Sequence, residues 1–298
     1  MQVANAPCSW GVLEFEGVAQ PAGYATVLDE IRDTDYAGTE LGDWGFMPAN
    51  PVRLKAEVTA RGLALVGAFV PVAFADAAAH AAGVATAIRT ATLMRDAGFP
   101  EAVIVLADEN ASVAERERNA GRIQPEHGLS DDAWMTFASG VDKAASLVKQ
   151  QTGLRTVFHP HCGGYVETPD EIDRLMELTD HKQVGLVLDT GHIVYGGGDP
   201  LSVLQTHRQR VWHVHFKDCD SSVADAAHHE GLGYLDAVRS QLFCELGKGV
   251  VDFAAITGDL KSSGYHGWVV VEQDVFPGYG SPKESALRNR EFLRGLGL

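Results

Sequence analysis

The chain has 298 residues, 45% of them hydrophobic and 21% charged, with a formal net charge of −16. That length buries an ample core, either as one large barrel or as two small domains. The acidic balance counts against a nucleic-acid partner, because binding a phosphate backbone needs clustered Lys and Arg.

In chain order, short β-rich runs alternate with longer amphipathic or alanine-rich stretches. The predicted strands are 2–6, 37–42, 63–71, 102–108, 154–160, 184–190, 211–216 and 268–274. Helical patterns fall between them, near 21–35, 50–62, 76–97, 131–151, 169–180, 200–208, 251–263 and 283–294. Some helix starts are explicit. Thr168-Pro169-Asp170-Glu171 reads as a capping box with proline at the first helical position, and Asp199-Pro200 repeats the cap-then-proline signal. In the helix near 251–263, Phe253, Ile256 and Leu260 recur at helical spacing.

Eight nearly continuous apolar strands alternating with eight helices imply parallel pairing buried on both faces. The expected fold is α/β, a (β/α)8 TIM barrel, as one domain over 1–298 with long loops near 108–130 and 217–250. An open doubly wound sheet is the alternative, but its first strand usually ends in a GxGxxG turn, and "NAPCSWG" (5–11) is not one. Long loops in a compact domain are more often lids or binding loops than filler.

Cys8, Cys162, Cys219 and Cys244 are scattered and form no CxxC pair, which suits reduced thiols better than a disulfide framework or a zinc knuckle. No basic-then-apolar leader opens the chain, and no apolar run reaches membrane-spanning length. The expectation is a cytoplasmic protein with no membrane partner and a small-molecule substrate. A homo-oligomer fits such barrels, although no surface pattern here specifies one.

Polar residues collect where the predicted strands end, which in a (β/α)8 barrel is the active face. The first strand stops at Asn5, the second at Glu40, and the fifth runs into His159 and His161. The sixth ends at Asp189, the seventh carries His213, His215 and Lys217, and the eighth closes on Glu272 and Asp274. Residues two apart share a strand face. His159 with His161, His215 with Lys217, and Glu272 with Asp274 are therefore same-face pairs, and their convergence would be prohibitive without a positive charge among them. Mixed carboxylate and imidazole ligation suits Mn²⁺, Mg²⁺ or Co²⁺ better than a thiolate-seeking metal. Blander readings suffice elsewhere. His228-His229 reads as an exposed feature of the long loop, Glu14 and Glu16 as solvated charges, and "GGG" (196–198) as a flexible turn before the Asp199 cap.

"HPHCGGYVETPDEID", "GLVLDTGHIVYGGGDP", "HVHFKD", "LGKGVVDF" and "VVVEQD" occur in the order and spacing of the xylose-isomerase-like barrels, the sugar phosphate isomerase/epimerase superfamily. The chain resembles that superfamily over most of its length, and its inosose (2-keto-myo-inositol) dehydratase branch above all. "NAPCSWG" and "GTELGDWGFMP" support the branch. The resemblance implies a divalent metal, Mn²⁺ or else Co²⁺ or Mg²⁺, held by Asp189, His215 and Glu272. Its fourth ligand is expected to be Glu167, with His159 the alternative. It also implies that His161, His192 and Lys217 meet the substrate.

The implied reaction is a dehydration of a keto-polyol such as 2-keto-myo-inositol, a lyase reaction through a metal-stabilised enediolate. Glu272 or one of the imidazoles would serve as base. Isomerisation or epimerisation of a keto-sugar, or cleavage of a 3-keto-glycoside, would use the same metal site. His159 stands where epimerases of the superfamily place a glutamate, which breaks their symmetric glutamate pair and favours the dehydratase.

Overall fold

Apolar side chains at alternate positions give each of eight short strands one face toward the barrel axis and one toward surrounding helices. The computed structural model describes residues 1–13, 22–110, 112–276 and 278–298. The expectations for Glu14 and Glu16 lie outside these residues. The strands are β1 (Gln2–Asn5), β2 (Gly38–Glu40), β3 (Ala64–Val72), β4 (Val103–Asp108), β5 (Arg155–Phe158), β6 (Val184–Asp189), β7 (Val211–Phe216), β8 (Asp218–Cys219), β9 (Phe243–Cys244) and β10 (Trp268–Val271). All but β8 and β9 close into one parallel barrel in the order β1-β10-β7-β6-β5-β4-β3-β2, with β2 returning to β1. The eight predicted strands are these eight, each observed within the predicted span or one residue beyond it.

Two apolar layers stabilise the barrel. Between strands and helices lies the main cluster, to which β6 contributes Leu186 and Leu188 and β7 contributes Val214 and Phe216. The interior is packed with smaller groups: Val103, Val105, Val157 and Val187 in one cluster, Ala4, Val66 and Val270 in another. Register shifts between Thr39 and Glu40 and between Leu186 and Val187 adjust which residues stand opposite one another on β2–β3 and β6–β7. Gly67 faces Glu40 across the first shift; a Cβ there would stand 2.7 Å from the Glu40 carboxylate, so only glycine admits it.

The predicted helices are present, and their starts follow the cap chemistry. Thr168 Oγ1 accepts from Glu171 N at 3.3 Å while a Glu171 oxygen accepts from Thr168 N at 3.2 Å. Asp199 accepts from Leu201 and Ser202 N–H groups. The Gly196–Gly198 turn is more than a flexible link. A Cβ on Gly196 would lie 2.5 Å from the Glu167 carbonyl oxygen, and Gly197 has φ of 85°.

The two long connections are not bare loops. Residues 108–130 carry a helix at Ala114–Arg118, and Arg116 is fully buried in a two-pronged ion pair with Glu171, both contacts 2.8 Å. Residues 217–250 hold helices Ser221–Glu230 and Tyr234–Arg239 and the β8–β9 hairpin. They pack a second apolar cluster around Tyr195, Cys219, Tyr234 and Phe243. His228 is half-buried and stacked on Tyr195, with ring centroids 5.2 Å apart, so only His229 of that pair is the exposed feature expected.

Candidate active site

Asp189 ends β6 and begins the next helix at once. One carboxylate oxygen accepts from His192 N at 2.9 Å, capping helix Thr190–Tyr195, and the other is left for the barrel mouth. The Asp189 side chain meets those of His159, His215 and Glu272, and one ligand atom from each lies within 4.8 Å of the others. The Oδ2 of Asp189 stands 3.3 Å from His159 Nε2 and 3.6 Å from His215 Nδ1, and His215 Nδ1 stands 3.3 Å from Glu272 Oε2.

Which ring nitrogens carry hydrogen follows from their other contacts, because carbonyl and carboxylate oxygens only accept. His159 Nδ1 donates to Pro160 O at 2.7 Å, which leaves its Nε2 lone pair toward Asp189. His215 Nε2 donates to Glu40 Oε1 at 3.1 Å, and His213 Nε2 donates to the same oxygen at 2.8 Å. The His215 Nδ1 lone pair therefore faces two carboxylates. Lone pairs and anionic oxygens turned on one another at largely buried positions favour a cation among them, of which the Lys217 ammonium, 3.7 Å from Asp189 Oδ2 and 3.0 Å from Glu272 Oε2, supplies only one edge. Asp189 Oδ2 and His215 Nδ1 have no hydrogen-bond partner, as ligand atoms would not. A second proton is the alternative cation. Burial would lower the His215 pKa, yet Glu272 and Glu40 hold it well above the ordinary imidazole value. The donor set of two imidazoles and two carboxylates, each ring anchored through its other nitrogen, fits a divalent metal.

The expectation that Glu167 completes this ring is corrected. Its oxygens accept from Gly121 N at 2.6 Å and Gly163 N at 3.0 Å, lacing the 108–130 segment to the turn after β5. With both oxygens committed to backbone donors, Glu167 stays out of the cluster, and His159 takes the fourth place. Asn5 is likewise not at the mouth. It alternates with the inward Ala4 and Ala6 and lies beside the Tyr36 hydroxyl.

Lys217, His161 and His192 sit directly beside the cluster. The Lys217 ammonium contacts Glu272 Oε2 at 3.0 Å, Asp274 Oδ2 at 2.9 Å and His192 Nε2 at 3.0 Å, and lies 4.8 Å over the Phe243 ring. Burial opposes its charge, but Asp274, Glu272 and Asp189 hold its pKa well above the usual lysine value. The His161 and His192 rings lie against each other, tilted by 36°, with centroids 3.9 Å apart. Burial pushes both imidazoles well below their ordinary range, helped at His161 by His159 and at His192 by His161, so both are neutral. Two further groups of ligand-type residues are already satisfied: Glu40 by its two imidazoles, and the cluster of Cys8, Glu272 and Asp274 by the Lys217 ammonium. The space above the ring, counted to open solvent, is about 480 Å³; Cys8, Asp43 and Phe69 line it together with the polar groups.

Some contributors carried no sequence signal. Thr190 Oγ1 donates to Lys217 O at 2.7 Å and accepts from Lys217 N at 2.9 Å, tying the ends of β6 and β7 together. Phe243 arrives from the far end of the 217–250 excursion. Asp274, by contrast, was marked by its two-residue spacing from Glu272.

A family model described as "Xylose isomerase-like TIM barrel" matches residues 26–296. The chain belongs to that family. Among similar proteins, the inosose dehydratase of Geobacillus kaustophilus (strain HTA426) is 32% identical over 295 residues, covering 99% of this chain and 94% of that protein. The inosose dehydratase of Lacticaseibacillus casei is 31% identical over 293 residues, covering 98% and 96%. A solved structure described as IOLI protein with a binding zinc atom superposes with a TM-score of 0.74 at 15% identity, covering 99% of this chain and 98% of that one, which shows the shared fold. Among the described residues no helix is long and apolar enough to cross a membrane.

Proposed function

We propose that this chain is a divalent-metal-dependent dehydratase, a carbon–oxygen lyase, acting on 2-keto-myo-inositol or a closely related keto-polyol. The observation that carries the reading is the buried ring of His159, Asp189, His215 and Glu272, whose facing lone pairs call for a cation. The curated relatives named inosose dehydratase supply the substrate class.

These four side chains would hold Mn²⁺, Co²⁺ or Mg²⁺, which when bound supplies positive charge for the oxyanion that develops as the proton beside the ketone leaves. Lys217 brings a fixed second positive charge to the same edge of the cavity. Its N–H bonds to Glu272 and Asp274 position it before substrate arrives. His161 and His192, kept neutral by burial, are the groups that accept and return protons. The His161 ring is fixed by Nδ1 donating to Cys162 O at 2.8 Å, which turns Nε2 outward to Asn110. His159 at the ring's fourth corner leaves Glu272 without an opposed glutamate, which favours elimination over the two-glutamate proton shuttle of an epimerase.

The test is a panel of inososes and keto-hexoses incubated with Mn²⁺-loaded protein, read by absorbance of a conjugated enone or enol product. Product from an inosose supports the lyase. Solvent-deuterium exchange at a substrate C–H with no dehydrated product would move the assignment to the isomerase or epimerase reading.

A further inference from the structure

Four carboxylates line the cavity: Glu40, Asp43, Glu272 and Asp274. Three are answered from within the protein, Glu40 by His213 and His215, Glu272 by His215 and Lys217, Asp274 by Lys217. Asp43 is not. Among the described residues no hydrogen bond or ion pair reaches its carboxylate, and burial, unopposed by any partner, pushes its carboxyl up. Asp43 is half-buried, so water reaches it in the free protein, and hydroxyl donors brought by a ligand can take the place of that water.

The loop presenting Asp43 is built rather than loose. Gly42 and Gly45 flank the Asp43-Trp44 pair at φ of 71° and 99°. Gly42 is pressed against its surroundings, where a Cβ would lie 3.2 Å from the Phe46 ring and 3.3 Å from Pro7. Trp44 is held under the Arg89 guanidinium, 4.0 Å from the ring centroid. The strand before the loop ends in Glu40, itself locked by two imidazoles. A carboxylate carried on a loop anchored in this way at a cavity wall can select among substrates by position and not only by charge.

We infer that Asp43 is a specificity-determining residue, its carboxylate accepting hydrogen bonds from one or two neighbouring hydroxyl groups of a cyclic polyol. The inference rests on the inosose reading above and deepens it. It also gives a use to the "GDWG" segment, which the metal ring leaves unexplained. A site built to receive a hydroxyl discriminates strongly against an analogue lacking it.

Asp43→Ala and Asp43→Asn are compared with the unaltered protein, all loaded with Mn²⁺, using 2-keto-myo-inositol and its monodeoxy analogues. Asp43→Ala is expected to raise KM by about 10- to 100-fold, as loss of hydrogen bonds to a charged group does, with kcat within about threefold and metal content unchanged. Asp43→Asn should fall between. The decisive readout is the analogue series. The unaltered protein should discriminate against the analogue missing the hydroxyl held by Asp43, and Asp43→Ala should lose that discrimination while keeping the rest. A KM within twofold of the unaltered value, or an equal rise for every analogue, overturns the inference and leaves the dehydratase reading standing. If the unaltered protein neither binds any inosose by calorimetry nor turns one over, the reading and the inference fall together.

Discussion

The lower and upper layers of the barrel interior are carried by the same strands and are both largely hidden from water, yet their physics is opposite. On β5 Val157 precedes His159 by two residues, on β6 Val187 precedes Asp189, and on β10 Val270 precedes Glu272. The valines need nothing but close packing. The charged layer persists only because each group compensates another. Glu40 and Glu167 make the point outside the ring of His159, Asp189, His215 and Glu272. Burial pushes both carboxyls upward, and Glu167, answered by two backbone N–H groups and only weakly by the Arg116 charge, is raised to about 7. At Glu40 the imidazoles of His215 and His213 overcome burial and bring it to about 2. Burial sets the stakes, and the neighbours set the sign.

Four measurements would break or sharpen this contrast, and the largest effect is expected at the centre of the ring. Asp189→Ala should lose the bound metal, seen by elemental analysis of purified protein, with turnover down by at least about 10³-fold on the charge stabilisation removed. Metal retained at the original stoichiometry would mean the ring is not the site. Next comes His192→Ala, expected to keep its metal while turnover falls by about 10²- to 10⁴-fold, the range for loss of a proton-transfer group. Undiminished turnover would remove His192 from the chemistry.

Glu167 provides a pH test. Its carboxyl stays protonated in the folded chain up to about 7, against an ordinary value of 4.5, so its contribution is complete below 4.5 and is lost as pH rises through 7. The shift corresponds to at most about 3 kcal/mol. Glu167→Gln should flatten the decline in unfolding free energy between pH 5 and pH 8, followed by denaturant titration; parallel slopes for the two proteins would contradict the assignment. The smallest effect belongs to the lower layer. Val157→Ala, at a fully buried position, should cost about 2 kcal/mol of stability and leave kcat unchanged below the melting transition. A large fall in kcat would show that the two layers are mechanically coupled.

Much of this is legible in the sequence. Apolar runs of strand length located all eight barrel strands, and two-residue spacing placed His159 with His161 and Glu272 with Asp274, which line the same cavity. The excursion at 217–250 was harder to read. Its helices are short, its hairpin strands are two residues each, and its apolar residues are buried against partners distant in the chain, so local periodicity was weak there. Phe243 beneath Lys217 could not be found by any spacing rule. Glu167 misled because a carboxylate near a strand end was credited as a ligand, when its oxygens are taken by Gly121 and Gly163 from two separate segments.

By itself, the sequence determined the alternation of elements, the barrel, and which strands end in chemistry-bearing residues, because these depend on side-chain period and on caps within a few neighbours. The tertiary structure decided which of those residues meet. Closure brings His159, Asp189, His215 and Glu272 to one point, turns Asp43 to the cavity and leaves Glu167 outside the ring. Such choices depend on the orientation of whole segments and on which distant N–H or carbonyl claims each polar atom first, and no local pattern encodes that.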